Sequence, residues 1–236
     1  MWAGAYYTPG HIITCAHAFS ASGKEVVREP QINIKDVQIV NINGDLVEFS
    51  NVSFPRTGDI AVVTCRQNWD AWIPLGKASY VPYGDLVYMW GYPLSYEGYS
   101  RQNISYAPGR WPYWGIWVLG WWEGPASPSG ELFVEGRDFR VLCPSSRGQS
   151  GSPCVWLRAG TDPVIVGVLS LTQSVSIGSF MESSYSYITA AEHIQGGIYT
   201  PTFSETLLSA WQRAKPYAVP ALLGIAAGSI IAGTRR

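Results

Sequence analysis

Ser150 stands in the run Ser145-Ser146-Arg147-Gly148-Gln149-Ser150-Gly151-Ser152-Pro153-Cys154, which presents one hydroxyl between two glycines. A serine hydroxyl is a poor nucleophile until a base takes its proton, and that base needs a third group to fix its tautomer. The chain has three histidines, His11, His17 and His193. His11 lies in the turn-like Thr8-Pro9-Gly10-His11 and His193 follows Ala190-Ala191-Glu192; neither context suggests a base. His17 ends the apolar run Ile12-Ile13-Thr14-Cys15-Ala16, so a strand would deliver it from a packed core to the edge of a cleft. Of the candidate acids, which include Asp36, Asp45, Asp70 and Asp85, Asp59 alone immediately precedes a continuous apolar run, Ile60-Ala61-Val62-Val63. A buried strand there would hold its carboxylate against an imidazole.

These residues point to acyl transfer, with Ser150 as nucleophile, His17 as base and Asp59 as the acid that stabilises the imidazolium. Gly148 permits backbone conformations closed to other residues, so the amides of Gly148 and Ser150 can converge on a developing oxyanion. Gly151 lets the chain leave tightly. Each segment has a bland reading, since Gly-x-Ser-Gly strings are common in loops and Thr57-Gly58-Asp59 is also a plain turn. All three together, in one order, depart from that reading.

The segments resemble the chymotrypsin-like (trypsin-like) serine peptidases, in the order His, Asp, Ser, with 42 positions from His17 to Asp59 and 91 from Asp59 to Ser150. Gly167-Val168-Leu169-Ser170 resembles the family's strand beside the substrate, and Val87-Tyr88-Met89-Trp90-Gly91-Tyr92-Pro93 the opening of its second barrel. The likeness spans residues 3 to 195, and its Ser145-x-x-Gly148-x-Ser150-Gly151 form is similar to compact viral and bacterial members. It implies a serine endopeptidase acting on a protein or polyprotein, without cofactor or metal. It also implies an all-β fold of two six-stranded-type antiparallel β-barrels, the first incomplete if its opening strand is lacking. In that geometry Ser170, Leu171 and Thr172 pair with the substrate backbone, and Ser145 and Thr172 line the side-chain pocket. Pro144, six positions before Ser150, replaces the acid that selects Lys or Arg in trypsin, so a small or medium uncharged side chain is expected. Gln149 stands where zymogen-type relatives carry an Asp, so their activation switch is expected to be absent. Only 16 residues precede His17, and three readings stay open: an incomplete first barrel, one completed by another segment, or one cut from a longer precursor.

The elements needed to bring these side chains together follow from the rhythm of the chain. Short alternating or apolar runs, such as Val37 to Val40, Leu46 to Phe49, Ile60 to Cys65 and Val164 to Leu169, are separated by Gly, Pro, Asn and Asp, as in barrel proteins. The expected organisation is a first barrel over residues 1–74, a crossover from Leu75 to Tyr83, a second barrel over 84–195 and a helical tail over 203–236. With 47% hydrophobic residues, the chain can fill one two-barrel core. Charged residues are only 14%, which implies that much of the surface is covered, by itself or by a larger assembly or oligomer. A net charge of −1 speaks against nucleic acid as a partner.

Cys15, Cys65, Cys143 and Cys154 lack paired metal-ligand spacings and are expected to be reduced thiols, with two disulfides as the alternative. With an amino end that has no basic start or long apolar run, this favours an intracellular location. Trp111 to Trp122 carries five of the eleven tryptophans, which suits a strand, with a membrane or partner surface as the alternative. Ser204 to Arg213 has the pattern of a capped amphipathic helix. Residues 217–233 are uncharged and flanked by Arg213, Lys215, Arg235 and Arg236, which suits a membrane anchor; docking on a partner, in an oligomer or on the same chain are alternatives. The competing functional class is a structural or binding module that keeps a protease fold within a particle or membrane complex.

Overall fold

The β-branched and apolar runs become ten strands in a computed structural model, whose described residues are 2–41, 45–91, 116–126, 136–143, 145, 148–157, 160–177 and 181–195. All fall within the unit Met1–Tyr199. The expected helix after residue 203, the apolar tail, Pro144 and Trp111 to Gly115 lie outside the described residues.

The first half is built from β1 (Ala5–Thr8), β2 (His11–Thr14), β3 (Phe49–Ser53) and β4 (Ala61–Cys65). They form an antiparallel sheet in the order β1-β2-β4-β3. Successive side chains on a strand point to opposite faces. Ile12 therefore joins the core of this half with Phe19, Val52 and Val63, while its neighbour Ile13 joins a second cluster with Ile60, Val155, Ile165 and Val168. That second cluster draws residues from both halves and is the seam between them. Covering both faces of a strand removes polar alternation, which is why this stretch reads as one apolar run.

Among the described residues the first half is an open four-stranded sheet rather than a six-stranded barrel. Val37 to Val40 and Leu46 to Phe49, expected as strands, are joined by a bridge between Val40 and Leu46 and by Val47 N donating to Ile39 O at 2.8 Å, and of these residues Phe49 alone belongs to a strand, as the start of β3. A cavity of about 410 Å³ remains between this segment and the sheet, lined by Tyr6, Ile12, Phe19, Val37, Ile39 and Val47 among others.

The second half is a closed barrel in the order β10-β7-β6-β5-β8-β9. Its strands are β5 (Leu86–Gly91), β6 (Ile116–Pro125), β7 (Phe139–Leu142), β8 (Pro153–Trp156), β9 (Val164–Ile177) and β10 (Met181–Ala190). Closure leaves no unpaired sheet edge. β5 alternates half-buried and buried residues along its length. In β6 Leu119 and Trp121 face outward while Trp122 is buried and stacks on Phe139 at 5.0 Å between ring centroids. The described end of the tryptophan-rich segment is thus a barrel strand. The crossover is pinned to β9, with Gly76 N donating to Ile165 O and Ile165 N to Pro74 O, both at 2.8 Å. All four cysteines are buried and free.

Candidate active site

His17 lies in a short 3-10 turn, Ala16–Phe19, directly after β2, and Asp59 precedes β4. Because β2 and β4 are neighbours with Thr14 opposite Ala61, the two residues meet at one end of the pair. His17 Nδ1 contacts Asp59 Oδ2 at 2.6 Å, and the backbone N–H of His17 donates to Asp59 Oδ1 at 2.9 Å. Asp59 is 1% exposed and His17 6%. Burial opposes a charged carboxylate, yet the bonds from His17 and Ser170 outweigh it and hold the Asp59 pKa below its ordinary value. For His17, burial pulls downward, but the bond to Asp59 and then the contact with Cys15 push its pKa up to about 10. A carboxylate on Nδ1 leaves the proton there, so Nε2 is the nitrogen whose lone pair can act as a base. Nε2 lies 3.6 Å from the Sγ of Cys15, a thiol whose burial raises its own pKa.

Ser150 sits half-buried in the turn that enters β8, between Gly148 at φ 91° and Gly151 at φ 81°. Gly148 thus has the left-handed backbone expected for it. The turn is fastened to both halves. Ala3 N donates to Ser150 O at 2.8 Å, and Gly151 N to Leu169 O at 2.8 Å. A side chain at Gly151 would place its Cβ 2.3 Å from Ala3 O and 3.1 Å from Cys15 N. The chain next to Ser150 therefore lies directly on the backbone two residues before His17. No hydrogen bond joins Ser150 Oγ to His17 among the described residues.

Ser170, expected to offer its backbone to substrate, has a side chain with a partner of its own. β9 and β10 shift register between Tyr187 and Ile188, opposite Leu171 and Leu169, which leaves Ser170 unpaired in a bulge. Bulges re-aim side chains. Here Ser170 Oγ turns inward and donates to Asp59 Oδ2 at 2.5 Å. Leu171 is 39% exposed. Ser145 and Thr172 do come together, joined through their hydroxyls, and Ser145 Oγ also meets Ser186 Oγ at 2.8 Å. Ser186 in turn donates to Cys143 O at 3.0 Å.

Three features escaped the sequence reading. Ser186 and the inward Ser170 hydroxyl depend on strand register, which single residues do not announce. The third is His193, which meets Asp138 through Nε2 at 2.6 Å and Thr57 Oγ1 through Nδ1 at 2.9 Å. Its partners lie 55 and 136 positions away, so no local motif marks it.

Residues 3–168, more than half of the chain, match the family model of the trypsin-like peptidase domain. Among solved structures, the chain is similar to the crystal structure of the Rv3671c protease from M. tuberculosis in its active form. That similarity has 19% identity, covers 84% of this chain and 74% of that one, and has a TM-score of 0.46. No curated protein matches the sequence.

Proposed function

Because the chain belongs to the trypsin-like peptidase family and is a serine peptidase, we propose that His17, Asp59 and Ser150 are its catalytic triad and that it cleaves internal peptide bonds of a protein or polyprotein. The observation that carries this reading is the buried His17–Asp59 pair, with the Gly151 backbone pressed on Cys15 beside it. His17 Nε2 takes the proton of Ser150 as Oγ attacks the peptide carbonyl. The imidazolium that forms is stabilised by Asp59 and returns the proton to the leaving amine. Water then releases the acyl group by the same route. The Ser150 hydroxyl must first turn toward Nε2, a bond that tightens when substrate is bound. The amides of Gly148 and Ser150 would hold the oxyanion, at about 3 kcal/mol for each donor.

The substrate backbone would run along Ser170, Leu171 and Thr172. The joined hydroxyls of Ser145 and Thr172 favour a small or medium uncharged side chain in the pocket they line. A fluorophosphonate probe tests the enzyme reading: stoichiometric labelling that vanishes in Ser150→Ala supports it, and an unlabelled wild type supports a structural or binding module instead.

Membrane association of the peptidase, as in compact viral or bacterial processing enzymes, is the second part of the proposal. It rests on the uncharged residues 217–233 between Arg213 and Lys215 on one side and Arg235-Arg236 on the other. Among the described residues no helix is long and apolar enough to cross a membrane. Removal of residues 216–236 should move the protein from a detergent-requiring to a soluble fraction, and unchanged partitioning would sink the anchor.

A further inference from the structure

We propose that His193, Asp138 and Thr57 form a positioning relay that sets where Asp59 stands, an inference that rests on the triad reading above. His193 and Asp138 make the chain's second buried His–Asp contact among the described residues, with side chains 1% and 8% exposed. Both ring nitrogens of His193 are engaged by side-chain oxygens, whereas among the described residues the Nε2 of His17 meets only the Cys15 sulfur. The Asp138 carboxylate accepts from Nε2, so Nδ1 is the acceptor for the Thr57 hydroxyl. This tautomer gives the contact a direction, from the second barrel to the turn that carries Asp59.

Asp138 is itself anchored in the barrel. Its Oδ2 accepts from Ala190 N at 2.8 Å, and its backbone N–H donates to Ile188 O at 3.2 Å. The imidazole also lies against Gly58, which has φ 81° and would place a Cβ 2.6 Å from His193 Cγ and Cδ2. Only a residue without a side chain lets the ring approach so closely. From the first half, Arg28 Nη1 donates to Gly58 O at 2.8 Å. Thr57 and Gly58, the two residues immediately before Asp59, are therefore gripped from both halves of the molecule.

A buried carboxylate is a poor way to add stability, because taking a charge out of water is costly. The relay contacts instead fall on the peptide units that direct the Asp59 side chain. Their effect reaches the reaction through Asp59 and His17, so His193 is a positioning residue with no contact to the reacting atoms.

Thr57→Val removes the hydroxyl and keeps the shape, and Thr57→Ser restores it. Rates are measured on the full chain per fluorophosphonate-titrated site, so loss of folded protein does not register as loss of kcat. For Thr57→Val, kcat should fall on the order of 10- to 100-fold with KM unchanged, as expected when catalytic groups are displaced slightly. The low-field proton resonance of His17 Nδ1–H should shift or broaden. Thr57→Ser should recover most of kcat, and Asp138→Asn should act in the same direction as Thr57→Val. A wild-type kcat per site and an unmoved resonance in Thr57→Val, whatever its melting temperature, would overturn the relay while leaving the triad intact. A wild type that does not label, or a Ser150→Ala variant that still turns over, overturns both.

Discussion

Ser170 and Asp59, 111 residues apart and from opposite halves of the molecule, are joined by a 2.5 Å hydrogen bond from Oγ to Oδ2. The same oxygen receives His17 Nδ1 at 2.6 Å, so the second barrel helps to place the acid that orients the imidazole. Ser170→Ala removes a donor to a buried carboxylate, a loss of about 1.5–3 kcal/mol. The variant should fold, should unfold at lower urea, and should show a lower kcat with little change in KM. An unchanged kcat per titrated site would show that His17 alone holds Asp59 in place.

The pH profile follows from the same pair. In the proposed triad neutral His17 is the competent base, and its fraction grows as pH rises past its folded-state pKa. With that value raised from 6.5 to about 10, kcat/KM should keep climbing with pH within this window. Asp59→Asn should move the rise to lower pH and reduce its height. A wild-type profile already level at 6.5 would contradict the coupling.

Stability should show the linked effect with the opposite sense for His17. A raised histidine pKa stabilises the fold below 6.5, and the contribution is lost as pH rises toward about 10. A lowered Asp59 pKa stabilises the fold above 3.8, and the contribution is lost as pH falls through the folded-state value. The pair's contribution is therefore whole between pH 3.8 and 6.5. The difference in urea midpoint between wild type and Asp59→Asn should be largest there and should shrink on both sides.

Gly151→Ala tests how the Ser150 turn is seated. The new methyl would meet Ala3 O at 2.3 Å on a backbone with φ 81°, and backbone is costly to displace. The strain alone is of the order of 1–3 kcal/mol. Both the urea midpoint and the rate of fluorophosphonate labelling should fall, and normal labelling would show that Ser150 does not need this contact.

The cysteines give a check on the core. Burial raises the pKa of all four thiols, and Cys143 is pushed up to about 12. Thiolate is the reactive form. The native protein should resist alkylation by iodoacetamide, and all four thiols should react once it is unfolded in the absence of reductant. Fewer than four after unfolding would mean that some are disulfide-bonded.

The residue types and their spacing made His17, Asp59 and Ser150 the candidates, because a nucleophile, a base and an orienting acid each require a particular side chain in a particular local setting. Apolar rhythm also revealed a mostly β chain, since alternation and turn residues are local properties. The open first sheet was less legible: Val37 to Val40 and Leu46 to Phe49 have strand-like patterns, yet pairing requires a partner that lies elsewhere in the chain. The inward turn of the Ser170 hydroxyl and the partners of His193 carried no local signal. Whether the Ser170 hydroxyl reaches Asp59 depends on a one-residue bulge opposite Tyr187 and Ile188, and whether His193 matters depends on Thr57 lying beside it. Chemistry is written in side-chain identity, which the linear chain carries; direction and proximity come from strand register and from the packing of two halves, which exist only after the chain has folded.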